Sequence, residues 1–384
     1  MIPYGRHHIS EDDIKAVEEV LKSAFLTQGD KVALFEQTIA QYVGAQYAYA
    51  VNSATSALHI ACLAVGLGEG DWLWTTPITY VASANCGRYC GADVDFVDID
   101  PKTLNISIDA LEEKLRIAKL ENRLPKVVVP VHLCGEPCDM KQIHRLSQEY
   151  GFKIIEDASH AIGAKYQDTF VGSCQYSDIT VFSFHPVKII TTAEGGMAVT
   201  NNPKLAQQLS LYRSHCVTRD ASLMTHEPDG DWYYQQVGLG FNYRMTELQG
   251  ALGVSQMGSL EKFIARRHQI AARYDEVFEG LPILLAYRNP ENFSSLHLYP
   301  IQVLPESGKN RKEVFDFFRA HDINVNVHYI PVHTQPYYQQ FGFKYGDFPN
   351  AEQYYSRAFS IPIFYGLTDE MQDTVIDVMN RSLQ

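Results

Sequence analysis

The first two hundred residues alternate between short apolar runs and stretches of helical period. "YAYAV", "DWLWTT", "DVDFVDI", "KVVVPVHL" and "FKIIED" have strand length and are rich in β-branched and aromatic residues. Between them lie "NSATSALHIACLAVG", "TYVASANCGRY", "SIDALEEKLRIA" and "DMKQIHRLSQEYG", each long enough for a crossover helix. Strands separated by such helices imply a mainly parallel sheet covered on both faces, an α/β architecture. Sheets of this kind bind ligands beyond the carboxyl ends of their strands, so the turns that follow strands are where chemistry is expected. Two helices precede the alternation. Ser10 caps "SEDDIKAVEEVL" ahead of an acidic first turn, and "DKVALFEQTIAQYVG" stops at Gly44.

Beyond residue 200 the texture changes. "RDASLMTHEPDGDWYYQQVGLGFNYR" is polar and aromatic without a clear period, and loops of that length are usually functional or mobile. "MTELQGALGVSQMGSLEKFIARRHQIAARYDEVFEG" then reads as long helical structure bridging to a smaller unit. That unit carries "LHLYPIQVL" and "INVNVHYI" as strands, with "KNRKEVFDFFRAH" and "LTDEMQDTVIDVMNRSL" as helices. At 384 residues the chain accommodates two domains, read as residues 1–250 and 251–384.

A net charge of -13 argues against a general affinity for nucleic acid or anionic membrane. No apolar run approaches the ~20 residues that cross a bilayer. "MIPYGRHHISEDDIKAV" holds no apolar signal core, so a cytoplasmic location is expected. Seven cysteines, an odd and scattered set, do not read as a disulfide framework. Cys86/Cys90 and Cys134/Cys138 share a spacing, but C-x-x-C is absent and the first pair fits one helix face. No metal site is assigned.

Four turns carry chemistry-bearing residues. In "NSATSAL" (Asn52 to Leu58) a strand meets a helix N-terminus, where free N–H groups and the hydroxyls of Thr55 and Ser56 suit a phosphate. Taken alone, the turn reads first as an ordinary Ser/Thr helix cap. "KIIEDASHAIGA" ends a strand on Glu156 and Asp157, with His160 three residues on; a carboxylate there could bind metal, cap a helix or pair with a cationic ring nitrogen. "TTPITYVASANC" sets Tyr80 at a strand-to-helix turn, to stack on a planar ligand or to cover the core edge. "SFHPVKIITTAEGG" places Lys188 five residues after Ser183, between apolar neighbours and before a glycine turn. Lysine there either snorkels to water or is a desolvated amine for covalent chemistry. Taken together, the four supply a phosphate cup, an acid for a pyridinium nitrogen, a stacking ring and an amine, the equipment for pyridoxal phosphate.

With these motifs the sequence resembles the DegT/DnrJ/EryC1/StrS sugar-nucleotide aminotransferases. The likeness runs from "LTQGDKVALFEQTIAQYVG" through "NSATSAL", "TTPITYVASAN", "EDASHAIGA", "SDITVFSFHPVKIITTAEGG" and "GFNYRMTELQGALG" to "VHYIPVH". Within the group it is similar to the C4 aminotransferases of pseudaminic acid biosynthesis, which act on a UDP-linked 4-keto-6-deoxy-N-acetylhexosamine. The resemblance implies the type I pyridoxal phosphate fold: a mainly parallel seven-stranded sheet in a large domain plus a smaller α+β C-terminal domain. It implies Lys188 as the lysine that bonds the cofactor and Asp157 as the acid on its ring nitrogen. It implies Tyr80 stacking on the ring, His160 at its phenolic oxygen, and Ala54, Thr55 and Ser183 at the phosphate. Ala54 stands where many relatives have glycine or serine, a change that backbone contacts survive. Asn242 matches an asparagine that reaches the phosphate from the other subunit, so a homodimer with shared active sites is implied. Tyr4, Ala24, Phe25, Leu26, Thr27, His328, Tyr329, Ile330 and Pro331 match segments lining the nucleotide-sugar site, and L-glutamate is the implied amino donor. Alternatives are an aminotransferase for another nucleotide keto-sugar (TDP or GDP, C3 or C4) and a non-catalytic binding protein of this fold. Related deoxygenating dehydratases carry histidine at the lysine position, and Lys188 argues against that chemistry.

Overall fold

The computed structural model describes all 384 residues. Two helices, α1 (Glu11–Leu21) and α2 (Lys31–Val43), precede the sheet. Ser10 and Asp13 close a capping box on α1, and Gly44, at φ 79°, ends α2.

The main sheet is built from β1 (Tyr47–Val51), β2 (Trp72–Thr75), β3 (Asp93–Phe96), β4 (Val127–Val129), β5 (Lys153–Asp157), β6 (Ile179–Ser183) and β7 (Gly196–Thr200). Its seven strands lie in the order β1-β7-β6-β5-β4-β2-β3. The pairs from β6 through β5, β4 and β2 to β3 are parallel, and β7 is antiparallel to both β6 and β1. Helices α3 (Ala54–Ala64), α4 (Ala82–Tyr89), α5 (Ile108–Leu120), α6 (Met140–Tyr150) and α7 (Pro203–Tyr212) complete this layer.

Strand periodicity divides the core between the faces. In β4, Val127 and Val129 join the cluster around α3 and α4, while Val128 joins Leu111 and Ile143 of α5 and α6. In β6, Val181 goes with the first face and Phe182 with Phe35 and Ile39 of α2. Helix α3 is buried from Ser56 to Cys62, as a helix between layers must be.

The expected long helical bridge is two helices, α8 (Glu247–Met257) and α9 (Leu260–Val277), separated at Gly258 and Ser259. Leu260, Phe263 and Ile264 of α9 pack under the main sheet, whereas Ile270, Ala271 and Tyr274 enter a separate core. That core belongs to a three-stranded antiparallel sheet, β8 (Ile283–Leu285), β9 (Tyr299–Val303) and β10 (Ala358–Ile361), with α10 (Arg311–Ala320) and, beyond α11 (Pro349–Arg357), α12 (Asp369–Ser382). Helix α11 itself sends Ala351 and Tyr354 into the cluster around α3 and α4.

One expectation is corrected. "INVNVHYI" is not a strand, because its backbone groups are shared among separate partners. Asn324 donates to Ile2, and Asn326 exchanges hydrogen bonds with Ser360. The position beside β9 is taken instead by β10. No helix is long and apolar enough to cross a membrane.

Candidate active site

Topology gathers the four turns. The parallel strands β5 and β6 end at Asp157 and Ser183. Because β7 runs the other way, its first residue, Gly196, pairs with both Ser183 and Val51, bringing the start of β7 to the same edge. The turn after β1 therefore meets the ends of β5 and β6 across one opening, the placement expected of a ligand site in such a sheet.

That opening is a cavity of about 980 Å³, large enough for a cofactor and a substrate together. Of the residues singled out from sequence, Tyr4, Ala54, Thr55, Tyr80, Asp157, His160, Ser183, Lys188, His328 and Tyr329 line it. Ala24, Phe25, Leu26, Thr27, Asn242, Ile330 and Pro331 are not among the lining residues of this single chain. Asn242 is exposed and bridges backbone with Ser214, and Phe25 and Leu26 are exposed beside the start of α8, where Glu247 donates to the Leu26 carbonyl.

At the cup, Ser53 caps α3 by accepting the Ser56 N–H at 3.1 Å, and Ser56 donates in turn to Asn52 at 2.7 Å. Ala54 and Thr55, the first two residues of α3, have no intrahelical acceptor for their N–H groups. Gly196 lies against this turn so closely that a Cβ there would stand 2.5 Å from the Ala54 nitrogen and the Ser53 carbonyl. Only a residue without a side chain lets β7 approach the cup.

Asp157 is 5% exposed. Ser83 of α4 donates to Oδ2 at 2.6 Å, and the Ser159 N–H to Oδ1 at 3.0 Å. Its neighbour Glu156 points the opposite way. His132 contacts it at 2.7 Å and Thr180 donates to it at 2.9 Å, with Ser177 as a further donor. The Cys138 N–H donates to His132 Nδ1, which leaves His132 Nε2 as the donor to Glu156. Burial would raise the Glu156 carboxyl, but these donors outweigh it and hold it below the usual range. The two carboxylates are thus sorted by strand alternation, one into the wall and one into the cavity.

The chain of Lys188 is partly exposed while its amine is enclosed. Burial brings that amine down to about 8, against the pull of Asp157. His160 Nδ1 accepts the Cys134 N–H at 3.2 Å, so its proton sits on Nε2, which faces the Tyr329 hydroxyl at 3.1 Å. Burial, with Lys188 and His328 nearby, pushes His160 well below the ordinary histidine range. His328 falls to about 3, mainly by burial. Its nitrogens meet Ser360 at 2.9 Å and Asn326 at 3.4 Å. Tyr80 is 61% exposed, 6.3 Å from the Tyr329 ring, and free to lie over a planar ligand.

These residues fit pyridoxal phosphate. Two unpartnered N–H groups and Ser183 suit its phosphate, Asp157 its ring nitrogen, and Lys188 its carbonyl carbon. Sequence reasoning missed His185, Glu194, Gln249, His297 and Asn326, which also line the cavity. His297 carried no local signal, since "LHLYPIQVL" reads as a core strand. Lys188 is the only lysine or arginine in the lining.

A model of the DegT/DnrJ/EryC1/StrS aminotransferase family matches residues 7–380. The chain belongs to that family. This aminotransferase is 38% identical to the spore coat polysaccharide biosynthesis protein SpsC of Bacillus subtilis over 382 residues, covering 98% of this chain and 96% of SpsC. It is 36% identical to the UDP-4-amino-4,6-dideoxy-N-acetyl-beta-L-altrosamine transaminase of Campylobacter jejuni over 388 residues, 99% of this chain and 98% of that one. Among solved structures, Helicobacter pylori PseC, an aminotransferase of pseudaminic acid biosynthesis, superposes with a TM-score of 0.90 at 31% identity, covering 99% and 98% of the two chains. The PLP-form of a sugar aminotransferase, Spr1654 from Streptococcus pneumoniae, gives 0.89 at 28% identity, over 100% and 98%. Family and relatives together make this chain a sugar aminotransferase.

Proposed function

We propose that this aminotransferase moves an amino group from L-glutamate to C4 of a UDP-linked 4-keto-6-deoxy-N-acetylhexosamine, with pyridoxal 5′-phosphate bonded to Lys188. The observation that carries the reading is one enclosed amine, lowered to about 8, lining the same cavity as a fixed carboxylate and two unpartnered helix N–H groups. Bound pyridoxal phosphate supplies an electron sink for the pair left on the donor's α-carbon when a proton is removed.

The protein's residues do the rest. Ala54 and Thr55 N–H, with the Ser183 hydroxyl, hold the phosphate at the positive end of α3. Asp157, fixed by Ser83 and Ser159, faces the ring nitrogen and favours its protonated form. Tyr80 covers the ring. Once free of the cofactor, the Lys188 amine accepts the α-proton as general base and returns a proton as general acid. An amine near 8 does both at neutral pH, which a solvated lysine near 10.4 would do poorly. With the keto-sugar, the same lysine works in the opposite direction and delivers a proton to the sugar's C4.

A homodimer completes the site. A nucleotide diphosphate and a dicarboxylate donor require cations, and the single-chain cavity offers only Lys188. The segment before α8 exposes the apolar Trp232, Tyr234 and Leu239 ahead of the exposed amide of Asn242, a surface suited to being covered by a second copy.

A second reading keeps the chemistry and changes the sugar. The relative named for spore coat polysaccharide synthesis is as similar as the altrosamine transaminase, which favours keeping other nucleotide keto-sugars in view. The test is to load the protein, treat it with glutamate until its yellow colour bleaches, remove the donor, and offer a panel of nucleotide keto-sugars. Recovery of colour with the UDP-linked 4-keto-6-deoxy-N-acetylhexosamine supports the proposal. Recovery only with a TDP-, GDP- or 3-keto sugar supports the second reading.

A further inference from the structure

His297 lines the cavity, yet none of the roles above uses it. Its segment is strapped across the site. Ser295 N–H donates to the Gly135 carbonyl at 3.1 Å, the Ser295 hydroxyl to the His160 carbonyl at 2.7 Å, and His297 N–H to the Cys134 carbonyl at 2.9 Å. From behind, Arg267 of α9, 2% exposed, directs Nη1 to the carbonyls of Leu296, His297 and Ile363 at 3.0 to 3.1 Å. Its guanidinium therefore serves as a brace for this backbone.

The His297 side chain is 4% exposed, and its ring centroid is 4.4 Å from that of His160, tilted by 41°. Its Nδ1 is buried with no hydrogen-bond partner, so packing is what this ring offers its neighbour. Both histidines hang on Cys134, whose N–H holds the His160 ring and whose carbonyl holds the His297 backbone. The groups facing His160 are Lys188 from the turn after β6, Cys134, His297, His328 and Tyr329, and Asp157 at the end of β5 acts on Lys188 and Tyr329. No carboxylate hydrogen bonds to His160, His297 or His328.

We propose that His297 is a positioning residue: its ring packs on His160 and keeps water off it, so that His160 keeps its single N–H on Nε2, the nitrogen that faces the Tyr329 hydroxyl in the cofactor cavity. The proposal rests on the pyridoxal phosphate reading, and one arm of its test uses the cofactor-free chain so that the two can fail separately.

The first readout is ring NMR of histidine-labelled, cofactor-free protein between about pH 8 and 5, the range over which an ordinary histidine titrates. In the wild type His160 stays silent. In His297→Ala its ring signals move within that window as water reaches the imidazole, and in His297→Phe, which keeps a packed ring, it stays silent. The second readout is the pH midpoint of the visible band in the loaded protein, which shifts in the alanine variant and not in the phenylalanine one. In the same variant kcat falls roughly tenfold or more, less than the ~10²–10⁴-fold that a positioned acid–base group itself contributes, and KM for the donor changes less. A silent His160 together with an unmoved midpoint in folded His297→Ala overturns the proposal. Should the alanine variant not fold, His297→Phe carries the test: His160 must stay silent there with the midpoint unmoved, and a titrating His160 or a shifted midpoint overturns it. A wild type with no visible band overturns the cofactor reading and leaves the NMR arm standing.

Discussion

The Ser83 hydroxyl donates to Oδ2 of Asp157 at 2.6 Å, joining the first turn of α4 to the end of β5. Ser83 also lies 2.7 Å from Thr79, so a short hydroxyl chain stands behind the carboxylate. Removing one donor from an ionised acceptor costs about 1.5 kcal/mol or more, roughly tenfold. We expect Ser83→Ala to fold normally and bind pyridoxal phosphate about tenfold more weakly, measured by titration of the visible band. Unchanged affinity would show that Asp157 does not depend on this contact.

Gly196 is set by the cup it touches. A methyl group there meets the Ser53–Ala54 backbone at 2.5 Å, and backbone cannot swing aside as the end of a flexible side chain would. Overpacking of this kind costs about 1–3 kcal/mol. Gly196→Ala should unfold at lower urea and lose cofactor affinity more than Ser83→Ala does, because it displaces the Ser53–Ala54 turn proposed to hold the phosphate. Equilibrium dialysis with inorganic phosphate and with the cofactor checks this.

The Lys188 amine near 8 sets a pH dependence with a defined sign. Its reactive neutral form grows as pH rises through about 8, whereas ordinary lysines follow near 10.4. The rate at which cofactor-free protein captures pyridoxal phosphate should rise through an apparent pKa of about 8 and then level. Between about 8 and the ordinary 10.5 an unfolded lysine holds its proton more tightly than the folded one, so stability of the cofactor-free protein should also rise with pH over that window. Lys188→Arg should lose both effects.

A site shared between subunits, as proposed, is open to complementation. Lys188→Ala and Asn242→Ala should each be severely impaired as homodimers. Mixed by unfolding and refolding together, they should recover about a quarter of the wild-type activity, because half of the dimers are mixed and each of those holds one intact site. No recovery, with mixed dimers demonstrated by mass, would place both residues in the same subunit's site.

Much of this was legible in the sequence because it is periodic. Strand alternation assigns Glu156 and Asp157 to opposite faces, and helix caps at Ser10, Gly44 and Ser53 mark their elements by local chemistry. What was hidden is non-local. The antiparallel direction of β7 follows from its pairing with β1 and β6, which no local pattern encodes. The strand "AFSI" is hidden because it follows α11 without a break, and "INVNVHYI" looked like a strand although its partners lie on separate segments. His297 joins the site only because Arg267, Cys134 and His160 converge on it from three distant stretches.

The most direct test of the central claim is where the cofactor is bonded. The purified protein, loaded with pyridoxal phosphate and reduced with borohydride, is digested and its peptides are weighed. We expect one phosphopyridoxyl group per chain, on Lys188 in the peptide containing "HPVKIITTAEGG". A group fixed on any other lysine, or a chain that takes up none, would contradict the assignment.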